Sequence, residues 1–523
     1  GSGCVTQRWS DPPAAPRPCP PRFNMAAHVM AAAAETPEKD ALLVLADASG
    51  AVAERWSYRA LDRAIRAGAA GLRAAGLAPG ERVLLRLPND ARFPLLFFAT
   101  IAAGGVAVPT SPQLTPGEAE ALAARVTPRF AAMGEGLEIA LPAGCRAIGP
   151  ADLAALLDHA PGEVADTAAD DPAFLIFTSG TSGTPRGVLH AQRSAHARRM
   201  MWAGWYGLGP EDRVLHAGAF NWTYTLGAGL TDPWAAGATA LIYAEPRDPF
   251  VWPRLAEAHR ATIFAAVPGV YRQLLRYEGD LGAAFATLRH GLTAGERKPE
   301  ALAEAWHART GTALHEALGM TEVSTFVSGC PEAPARPGTA GRPQPGRAVA
   351  ILPERAGAVE PVPCGTPGLL AVARSDPGLM LGYWQDPEGT AATFRGDWFV
   401  TGDRAVMDAD GSITHLGRAD DVMNALGYRV SPQEVEDAMA DHPAIAEIAV
   451  AELPVRHDLS LVAAFVVPSG DWPGEEALSH HAAGRLAEYK CPKLWLEVPM
   501  LPRTANGKLM RRSLVEAHRR DRA

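Results

Sequence analysis

The most informative segment of the chain reads Phe177-Thr178-Ser179-Gly180-Thr181-Ser182-Gly183-Thr184-Pro185-Arg186-Gly187. It follows an apolar run, residues 173–177, that is typical of a short buried strand, and a polar segment with helical character begins near His190. Its glycines let the backbone approach a ligand closely, and its five hydroxyl side chains can donate hydrogen bonds. The segment therefore predicts a phosphate-binding loop, with an ordinary polar surface loop as the alternative. It is not a Walker A loop, because no Gly-Lys-Ser/Thr follows Gly180.

Two further segments carry groups that suit a nucleotide. Residues 318–322 read Leu-Gly-Met-Thr-Glu, and residues 398–403 read Trp-Phe-Val-Thr-Gly-Asp. Thr321 can offer a hydroxyl to a phosphate, and Glu322 a hard oxygen suited to Mg²⁺, which prefers carboxylates together with nucleotide phosphates. Asp403 can accept hydrogen bonds from both hydroxyls of a ribose. Either segment alone could be an ordinary loop or turn.

The last two segments lie near the C-terminus. Residues 417–421 read Gly-Arg-Ala-Asp-Asp and are followed by Gly-Tyr-Arg-Val at 427–430 and by Ser431-Pro432, where proline favours the first turn of a helix. Residues 502–508 read Pro-Arg-Thr-Ala-Asn-Gly-Lys. A lysine on such a loop is by default an exposed charge without a function, so its interpretation depends on the other segments.

In this order, the five segments resemble the motifs of the adenylate-forming superfamily, which includes acyl-CoA synthetases, non-ribosomal adenylation domains and luciferases. The resemblance implies an α/β fold: a large N-terminal domain of parallel and mixed sheets covered by helices, and a small mobile α+β C-terminal domain. We expect an extended or disordered segment at 1–22, an adenylation domain at 23–417 and a lid domain at 418–523, with the hinge at Asp420. The implied activity is that of an AMP-forming acyl-CoA synthetase, in which a carboxylate attacks Mg·ATP to give an acyl-adenylate and CoA then takes the acyl group.

The resemblance also implies roles for individual residues. Catalysis is expected from Lys508, Thr321, Glu322 and Arg418, with Glu322 as the Mg²⁺ ligand and the Lys508 ammonium neutralising charge that develops on the α-phosphate. The CoA channel is expected at Gly427, Tyr428 and Arg429. Binding of ATP is expected from Thr178, Ser179, Gly180, Thr181, Ser182, Gly183, Thr184, Arg186, Leu318, Asp403 and Arg418. The chain departs from the family pattern at Ser182, usually Thr; Arg186, usually Lys; Leu318, commonly aromatic; Met423-Asn424, often Ile-Lys; and Leu426, usually small.

The acid substrate is expected to be aromatic and benzoate-like, or of medium chain length. No acidic residue lies between Phe220 and Leu230, where amino-acid-activating relatives carry an Asp for the substrate ammonium. Gly319, which is Trp in acetyl-specific relatives, is expected to leave room for a larger group. The predicted lining is apolar and aromatic: Trp222, Tyr224, Val267, Gly295, Gly319, Met320 and Phe326. The alternatives are an enzyme that loads a carrier protein and a non-catalytic nucleotide-binding relative.

Composition limits the remaining possibilities. A chain of 523 residues with 47% hydrophobic residues is long enough for at least two domains, and its net charge of −9 argues against general nucleic-acid binding. Proline and glycine interrupt the longest uncharged stretch, which starts at Phe93, so no membrane span is expected. Six dispersed cysteines favour a reducing, cytoplasmic location. A homodimer, and a lysine acyltransferase that acts on Lys508, are the expected protein partners, and Gly1-Ser2-Gly3 reads as a cloning scar.

Overall fold

The computed structural model describes residues 5–6, 17–178, 184–244, 248–425, 428–456, 459–504 and 507–522. Three large β-sheets and two small ones form its framework, and helices cover the large sheets. This is the mixed α/β architecture expected from the sequence. Within the described ranges, no helix combines the length and the apolar character needed to cross a membrane.

The first large sheet has seven strands, with a parallel centre and an antiparallel edge. In spatial order its strands are β19 (Gly382–Tyr383), β9 (Arg186–Ala191), β8 (Pro172–Thr178), β5 (Val106–Pro109), β4 (Arg82–Arg86), β6 (Phe130–Met133) and β7 (Arg146–Ile148).

The second large sheet has nine strands. Its six central strands run parallel, and antiparallel strands complete both edges. In spatial order they are β16 (Arg342–Pro343), β15 (Ser324–Ser328), β14 (Leu314–Met320), β13 (His290–Thr293), β12 (Ile263–Ala266), β10 (Arg213–His216), β11 (Thr239–Tyr243), β2 (Asp40–Leu45) and β3 (Val52–Ser57).

The third large sheet is antiparallel and brings the predicted ribose-binding segment beside residues 417–421. Its strands are β1 (Val5–Thr6), β17 (Val349–Leu352), β18 (Gly368–Ala373), β21 (Trp398–Met407) and β20 (Phe394–Arg395), with β22 (Ile413–Arg418) also paired to β21. After Arg418 the strands pair in two small sheets: β23 (Met423–Ala425) with β24 (Tyr428–Val430), and β25 (Ile445–Arg456), β26 (Leu459–Pro468) and β27 (Leu494–Glu497).

The helices follow the amphipathic patterns of the sequence. In α2, Tyr58–Ala74, the hydroxyl of the preceding Ser57 accepts a hydrogen bond from the Ala60 amide, and apolar side chains on one face are buried. The α-helices are α1 (Met25–Val29), α2 (Tyr58–Ala74), α3 (Arg92–Ala102), α4 (Pro116–Val126), α5 (Pro150–Leu157), α6 (Ser194–Ala197), α7 (Asp232–Ala235), α8 (Val251–His259), α9 (Pro268–Leu274), α10 (Leu281–Ala284), α11 (Glu300–Thr310), α12 (Pro387–Ala391), α13 (Pro432–Met439), α14 (Glu475–Ala483) and α15 (Arg511–Asp521). Two π-helical segments, Trp202–Tyr206 and Thr225–Thr231, and 3₁₀ turns at Ala31–Ala34, Ala419–Asp421 and Glu488–Lys490 complete the set.

One local prediction is wrong. The segment near His190 is not helical, because residues 186–191 form β9, which pairs antiparallel with β8 from Pro172 to Thr178. Val188 is fully buried and His190 nearly so, which a strand between two others allows and an exposed polar helix would not. The predicted phosphate loop therefore joins two strands of a hairpin. A helix, α6, starts only at Ser194.

Candidate active site

The predicted acid-binding residues meet at the carboxyl ends of parallel strands, where α/β sheets commonly bind ligands. Val267 directly follows β12, and Gly295 lies two residues beyond β13. A Cβ built at Gly295 would lie 3.2 Å from the Trp222 ring and 3.6 Å from Val267 Cγ1, so three predicted lining residues come together. Tyr224 packs edge-on against Trp222 at 5.2 Å between ring centroids. Its hydroxyl donates to the carbonyls of Ala266 and Leu292, which orients the ring.

The structure changes the interpretation of two other predicted lining residues. A side chain at Gly319 would overlap the backbone of Ser324 and Thr325, so this glycine is required by the close approach of β15 rather than by open space for the substrate. Phe326 is only 1% exposed and packs in an apolar cluster with Val323 and other core residues. Phe326 therefore stays a predicted lining residue, one whose side chain also belongs to the apolar core.

Met320 and Leu318 stay compatible with the site. Both are partly buried and pack on the edge of the same apolar cluster as Phe326. Leu318 thus presents an apolar side chain where the family commonly has an aromatic residue.

Glu322 is partly buried and has a specific partner. The Tyr383 hydroxyl donates a hydrogen bond of 2.9 Å to Glu322 Oε2, and the Arg186 guanidinium stacks over the Tyr383 ring, 3.7 Å from its centroid. Burial raises the pKa of Glu322, and the bond from Tyr383 opposes this rise only in part. A single partly buried carboxylate that lacks a full counter-charge suits Mg²⁺ held mainly by phosphate and water oxygens. The described residues contain no group of three acidic, cysteine or histidine side chains that could hold a metal alone.

The phosphate loop is described only at its two ends. Thr178 ends β8, and its hydroxyl lies 3.4 Å from the carbonyl oxygen of Arg186, its partner in β9. Thr184 is exposed at the other end of the loop. The predicted residues Ser179, Gly180, Thr181, Ser182 and Gly183 lie outside the described part of the chain.

The predicted ribose contact, Asp403, is buried and lies beside the side chains of Arg418 and His415. Arg418 Nη1 lies 3.3 Å from Asp403 Oδ1, and His415 Nε2 lies 3.2 Å from the same oxygen. Burial acts to raise the pKa of Asp403, but the favourable contacts with His415 and Arg418 outweigh it, so the pKa falls below its ordinary value. Asp403 therefore stays ionised and can accept hydrogen bonds. Gly402 adopts positive φ, and a Cβ there would lie 2.6 Å from Arg418, so glycine is needed for this approach.

The predicted hinge residue lies next to this site. Asp420 belongs to the 3₁₀ turn at Ala419–Asp421, and its carboxylate is 3.5 Å from Arg418 Nε. Arg418, the last residue of β22, thus connects Asp403 in β21 with the turn from which the C-terminal segment, residues 418–523, departs.

The loop that carries Lys508 lies against the predicted acid pocket. A Cβ built at Gly507 would lie 3.5 Å from Val267 Cγ2, which places the loop beside the strand end that also faces Gly295. The Thr504 amide donates to the Lys508 carbonyl at 2.8 Å, and the Lys508 amide to the Thr504 hydroxyl at 3.1 Å, so the turn is closed by its own backbone. The Lys508 side chain is exposed. Burial raises the pKa of nearby Asp421, and the charge of Lys508 is the smallest of the influences that oppose this rise.

Ion pairs hold the C-terminal segment in this position. Arg503 contacts Glu296 and also Glu447 Oε1, at 3.1 Å for the latter. Arg272 reaches the same Glu447 oxygen at 3.0 Å from the opposite side. Burial raises the pKa of Glu296, and the neighbouring Arg503 is the largest of the opposing influences. We call these pairs the lid contacts. Arg503–Glu296 and Arg272–Glu447 join residues before Arg418 to residues after it, as does a further pair between Arg297 and Asp437 at 2.5 Å, whereas Arg503–Glu447 links two residues of the C-terminal segment.

The predicted CoA residues lie on another face of the C-terminal segment. Tyr428 is 52% exposed and stacks on Tyr489 with 4.4 Å between centroids. Arg429 is also exposed, 3.9 Å from Glu354. Gly427 lies outside the described residues. Arg429 and Tyr489 line a polar depression of about 220 Å³ together with Lys490.

Sequence reasoning missed four residues that organise the site. The Tyr383 hydroxyl donates to Glu322, and His415 Nε2 lies 3.2 Å from Asp403 Oδ1. Arg503 forms the lid contacts, and His190 Nε2 donates to the Thr321 carbonyl at 2.7 Å. Tyr383 lies 61 positions from Glu322, and no local pattern connects them. Arg503 belongs to the Lys508 segment, but its partners become visible only when the chain folds.

Comparison with protein-family models gives two matches. Residues 29–384 match the model described as AMP-binding enzyme, and residues 434–508 match the model of the AMP-binding enzyme C-terminal domain. The first match alone spans more than half of the chain.

Similar proteins of known name span almost the whole chain. A 3-hydroxybenzoate–CoA ligase from Aromatoleum sp. (strain CIB) is 31% identical over 487 residues, covering 88% of this chain and 92% of that protein. A benzoate–CoA ligase from Thauera aromatica is 34% identical, with 87% and 89% covered. Among solved structures, the anthranilate CoA ligase AuaEII in complex with anthranoyl-AMP has a TM-score of 0.86 at 26% identity, covering 95% of this chain and 98% of that one. A benzoate CoA ligase from Burkholderia xenovorans LB400 has a TM-score of 0.84 at 30% identity, with 94% and 99% covered.

Proposed function

This chain belongs to the AMP-binding enzyme family, and we propose that it joins an aromatic, benzoate-like carboxylic acid to coenzyme A at the expense of ATP. It is an acid–thiol ligase of the AMP-forming class, as expected from the sequence. Named relatives that act on benzoate and hydroxybenzoates support the aromatic acid over a medium-chain one. Their names also support CoA over a carrier protein as the acceptor.

In the proposed mechanism, the residues divide into a nucleotide side and an acid side. Asp403 accepts hydrogen bonds from the ribose hydroxyls. The phosphates are faced by Arg418 and by the ends of the phosphate loop, at Thr178, Thr184 and Arg186. Glu322 would hold Mg²⁺, which when bound neutralises phosphate charge. Asp403 suits its role because it is held ionised, and Glu322 because it is partly buried with an incomplete counter-charge.

On the acid side, the substrate carboxylate attacks the α-phosphate, and pyrophosphate leaves. Lys508 stabilises the negative charge that develops between the two reactants, and the protein otherwise contributes orientation. For the second step, the C-terminal segment turns about Asp420 and withdraws Lys508, so that the CoA thiol can reach the acyl carbonyl and displace AMP. The domain division at 417/418 is supported by strand pairing, since strands up to β22 pair in the large sheets and those after it in the small ones.

The observation that carries the proposal is the position of the Lys508 loop. Gly507 packs on Val267, the residue that also neighbours Gly295 and thereby the Trp222 ring. A lysine segment near the C-terminus and an acid pocket in the middle of the chain would have no reason to meet in a protein that only binds nucleotides. Their contact is what the adenylation step requires.

The test is a pyrophosphate-release assay with Mg·ATP over benzoate, hydroxybenzoates, phenylacetate, cyclohexanecarboxylate and alkyl acids from acetate to decanoate, each with and without CoA. We expect release with ring acids, stimulated by CoA, and the acyl-CoA product by mass spectrometry. Release that CoA does not stimulate would favour a carrier protein as the acceptor. No release with any acid would contradict the proposal. Lys508→Ala serves as the matched inactive control.

Some finer expectations stay predictions. These are Mg²⁺ as the divalent ion, a homodimer, regulation by a lysine acyltransferase acting on Lys508, and a cytoplasmic location. The exposure of the Lys508 side chain supports access by a modifying enzyme. Acylation would remove the charge of Lys508 and should suppress adenylation while sparing thioester formation from a pre-made adenylate.

A further inference from the structure

The turn that carries Thr321 and Glu322 is the loop of a β-hairpin. It joins β14 to β15, where Met320 pairs with Ser324 and the Val323 amide donates to the Met320 carbonyl at 3.1 Å. Ser324, the residue that follows the turn, has a φ of +78°. This left-handed region suits glycine or asparagine and is strained for serine. Two residues beyond Glu322, the backbone is therefore held in a conformation that serine by itself disfavours.

The place of Ser324 sets it apart from the other strained residues. Four non-glycine residues within the described ranges have a positive φ. Thr127 and Arg260 end α4 and α8, where a left-handed residue commonly closes a helix, and Gln385 lies in the turn before α12. Of these four, Ser324 is the one within two residues of a predicted catalytic residue. Strain at such a position persists when surrounding contacts impose it.

Arg198 supplies such a contact. Its Nη1 donates to Ser324 Oγ at 2.7 Å. Its Nε lies 3.0 Å and 3.1 Å from the two carboxylate oxygens of Asp232, and its Nη2 donates to the Tyr206 hydroxyl at 3.1 Å. The Arg198 and Asp232 side chains are only 14% and 1% exposed, so Arg198 cannot leave without stranding a buried charge. Because each of its three nitrogens already has a partner, Arg198 positions other groups rather than binding a reactant.

The first half of the turn is fixed by other contacts. His190 Nε2 donates to the Thr321 carbonyl at 2.7 Å, and the Met380 amide donates to the Glu322 carbonyl at 2.8 Å. These two bonds leave the backbone at Val323 and Ser324 as the part of the turn that can change shape. The bond from Arg198 to Ser324 holds this remaining end.

We propose that Arg198 is a positioning residue for metal binding: through Ser324, it keeps the turn at 321–323 in the shape that Glu322 needs to hold Mg²⁺. This rests on the proposed ligase function, in which Glu322 is the Mg²⁺ ligand. Arg198 acts on the turn and contacts neither the metal nor the nucleotide. Loss of its bond to Ser324 should therefore weaken the metal-dependent part of ATP binding and spare the metal-independent part.

Variants of Ser324 test this role and leave the pair of Arg198 with Asp232 in place. Ser324→Ala removes the acceptor and keeps a Cβ in the strained conformation, whereas Ser324→Gly removes the acceptor and the strain together. The Kd of ATP is measured by isothermal titration calorimetry in saturating Mg²⁺ and again in EDTA. The ratio of these two constants, which we call the Mg²⁺ factor, is the extent to which the metal tightens binding.

We expect Ser324→Ala to lower the Mg²⁺ factor about 10-fold, because a left-handed backbone is disfavoured by about this ratio for a residue with a Cβ. Its Kd in EDTA should stay within about threefold of the wild type, a difference below the effect of one such strained residue. In Ser324→Gly the Mg²⁺ factor should stay within about threefold of the wild type, since glycine adopts this backbone without support.

Tyr206→Phe is the matched control, because it removes one partner of Arg198 and spares the bond to Ser324. It should lower the midpoint of urea unfolding and leave the Mg²⁺ factor unchanged. A wild-type Mg²⁺ factor in Ser324→Ala would overturn the inference. Equal losses in Ser324→Ala and Ser324→Gly, or a similar loss in Tyr206→Phe, would also overturn it, since strain at Ser324 would then not be the cause. The ligase function is tested separately by pyrophosphate release from the wild type, so either can fail without the other.

Discussion

Replacing Arg503 by Ala should slow adenylation selectively, because Arg503 joins the Lys508 loop to the rest of the molecule. Its guanidinium contacts Glu296 and Glu447, and all three side chains are at most a quarter exposed. Hydrogen bonds to charged groups contribute about 1.5–3 kcal/mol each. The pair of Arg272 with Glu447 also holds the C-terminal segment in place. We therefore expect the variant to lose about 2 kcal/mol of the free energy that stabilises the docked position of the loop. This loss corresponds to an adenylation rate about 30-fold lower.

Two assays distinguish the half-reactions. Exchange of pyrophosphate into ATP measures adenylation, and formation of aroyl-CoA from a synthetic aroyl-adenylate measures the second step. Because the second step requires the loop to leave, Arg503→Ala should change it by less than about threefold, a difference below 1 kcal/mol. Arg485→Ala is the matched control, since Arg485 pairs with Asp441 within the C-terminal segment and should affect neither assay. Equal losses in both half-reactions, or adenylation at the wild-type rate, would refute the role assigned to the lid contacts.

Lys508→Ala should reduce adenylation by about 100-fold or more while thioester formation from the adenylate changes little, because its charge acts only on the first transition state; full adenylation in this variant would contradict its role. Glu316→Gln should alter the dependence of stability on pH. Burial raises the pKa of Glu316 to about 7 from 4.5, so ionisation costs the folded state up to about 3 kcal/mol above pH 7, and this cost disappears below about pH 4.5. Glu316→Gln should therefore be more stable than the wild type at pH 8, with a higher midpoint of urea unfolding. A midpoint at pH 8 equal to or below that of the wild type would contradict this expectation. Gly227→Ala should lower the free energy of unfolding by about 1–3 kcal/mol, because the added methyl would overlap the buried Arg198 guanidinium; an unchanged midpoint would show that Arg198 can move aside.

Local patterns were sufficient where the chemistry is carried by adjacent residues. Thr321-Glu322 and Gly402-Asp403 each place their groups in a few consecutive positions, and the fold class follows from the family that these segments resemble. The helix from Tyr58 was predictable because its cap and its apolar face are written within 17 residues. The prediction failed near His190, where pairing with β8 and burial outweigh the polar character of the segment.

By itself, the sequence determined the family and the reaction class, because each is carried by short segments whose order along the chain is enough, and the same segments predict the residues that contact nucleotide. Only the tertiary structure decided how those segments are completed. It gave Glu322 its partner Tyr383, filled the space expected at Gly319 with the neighbouring strand, buried Phe326, and seated the Lys508 loop on Val267 through Arg503. Except for the contact at Gly319, these contacts join residues 61 to 240 positions apart, and their energy depends on burial and distance, which no local pattern of side chains encodes.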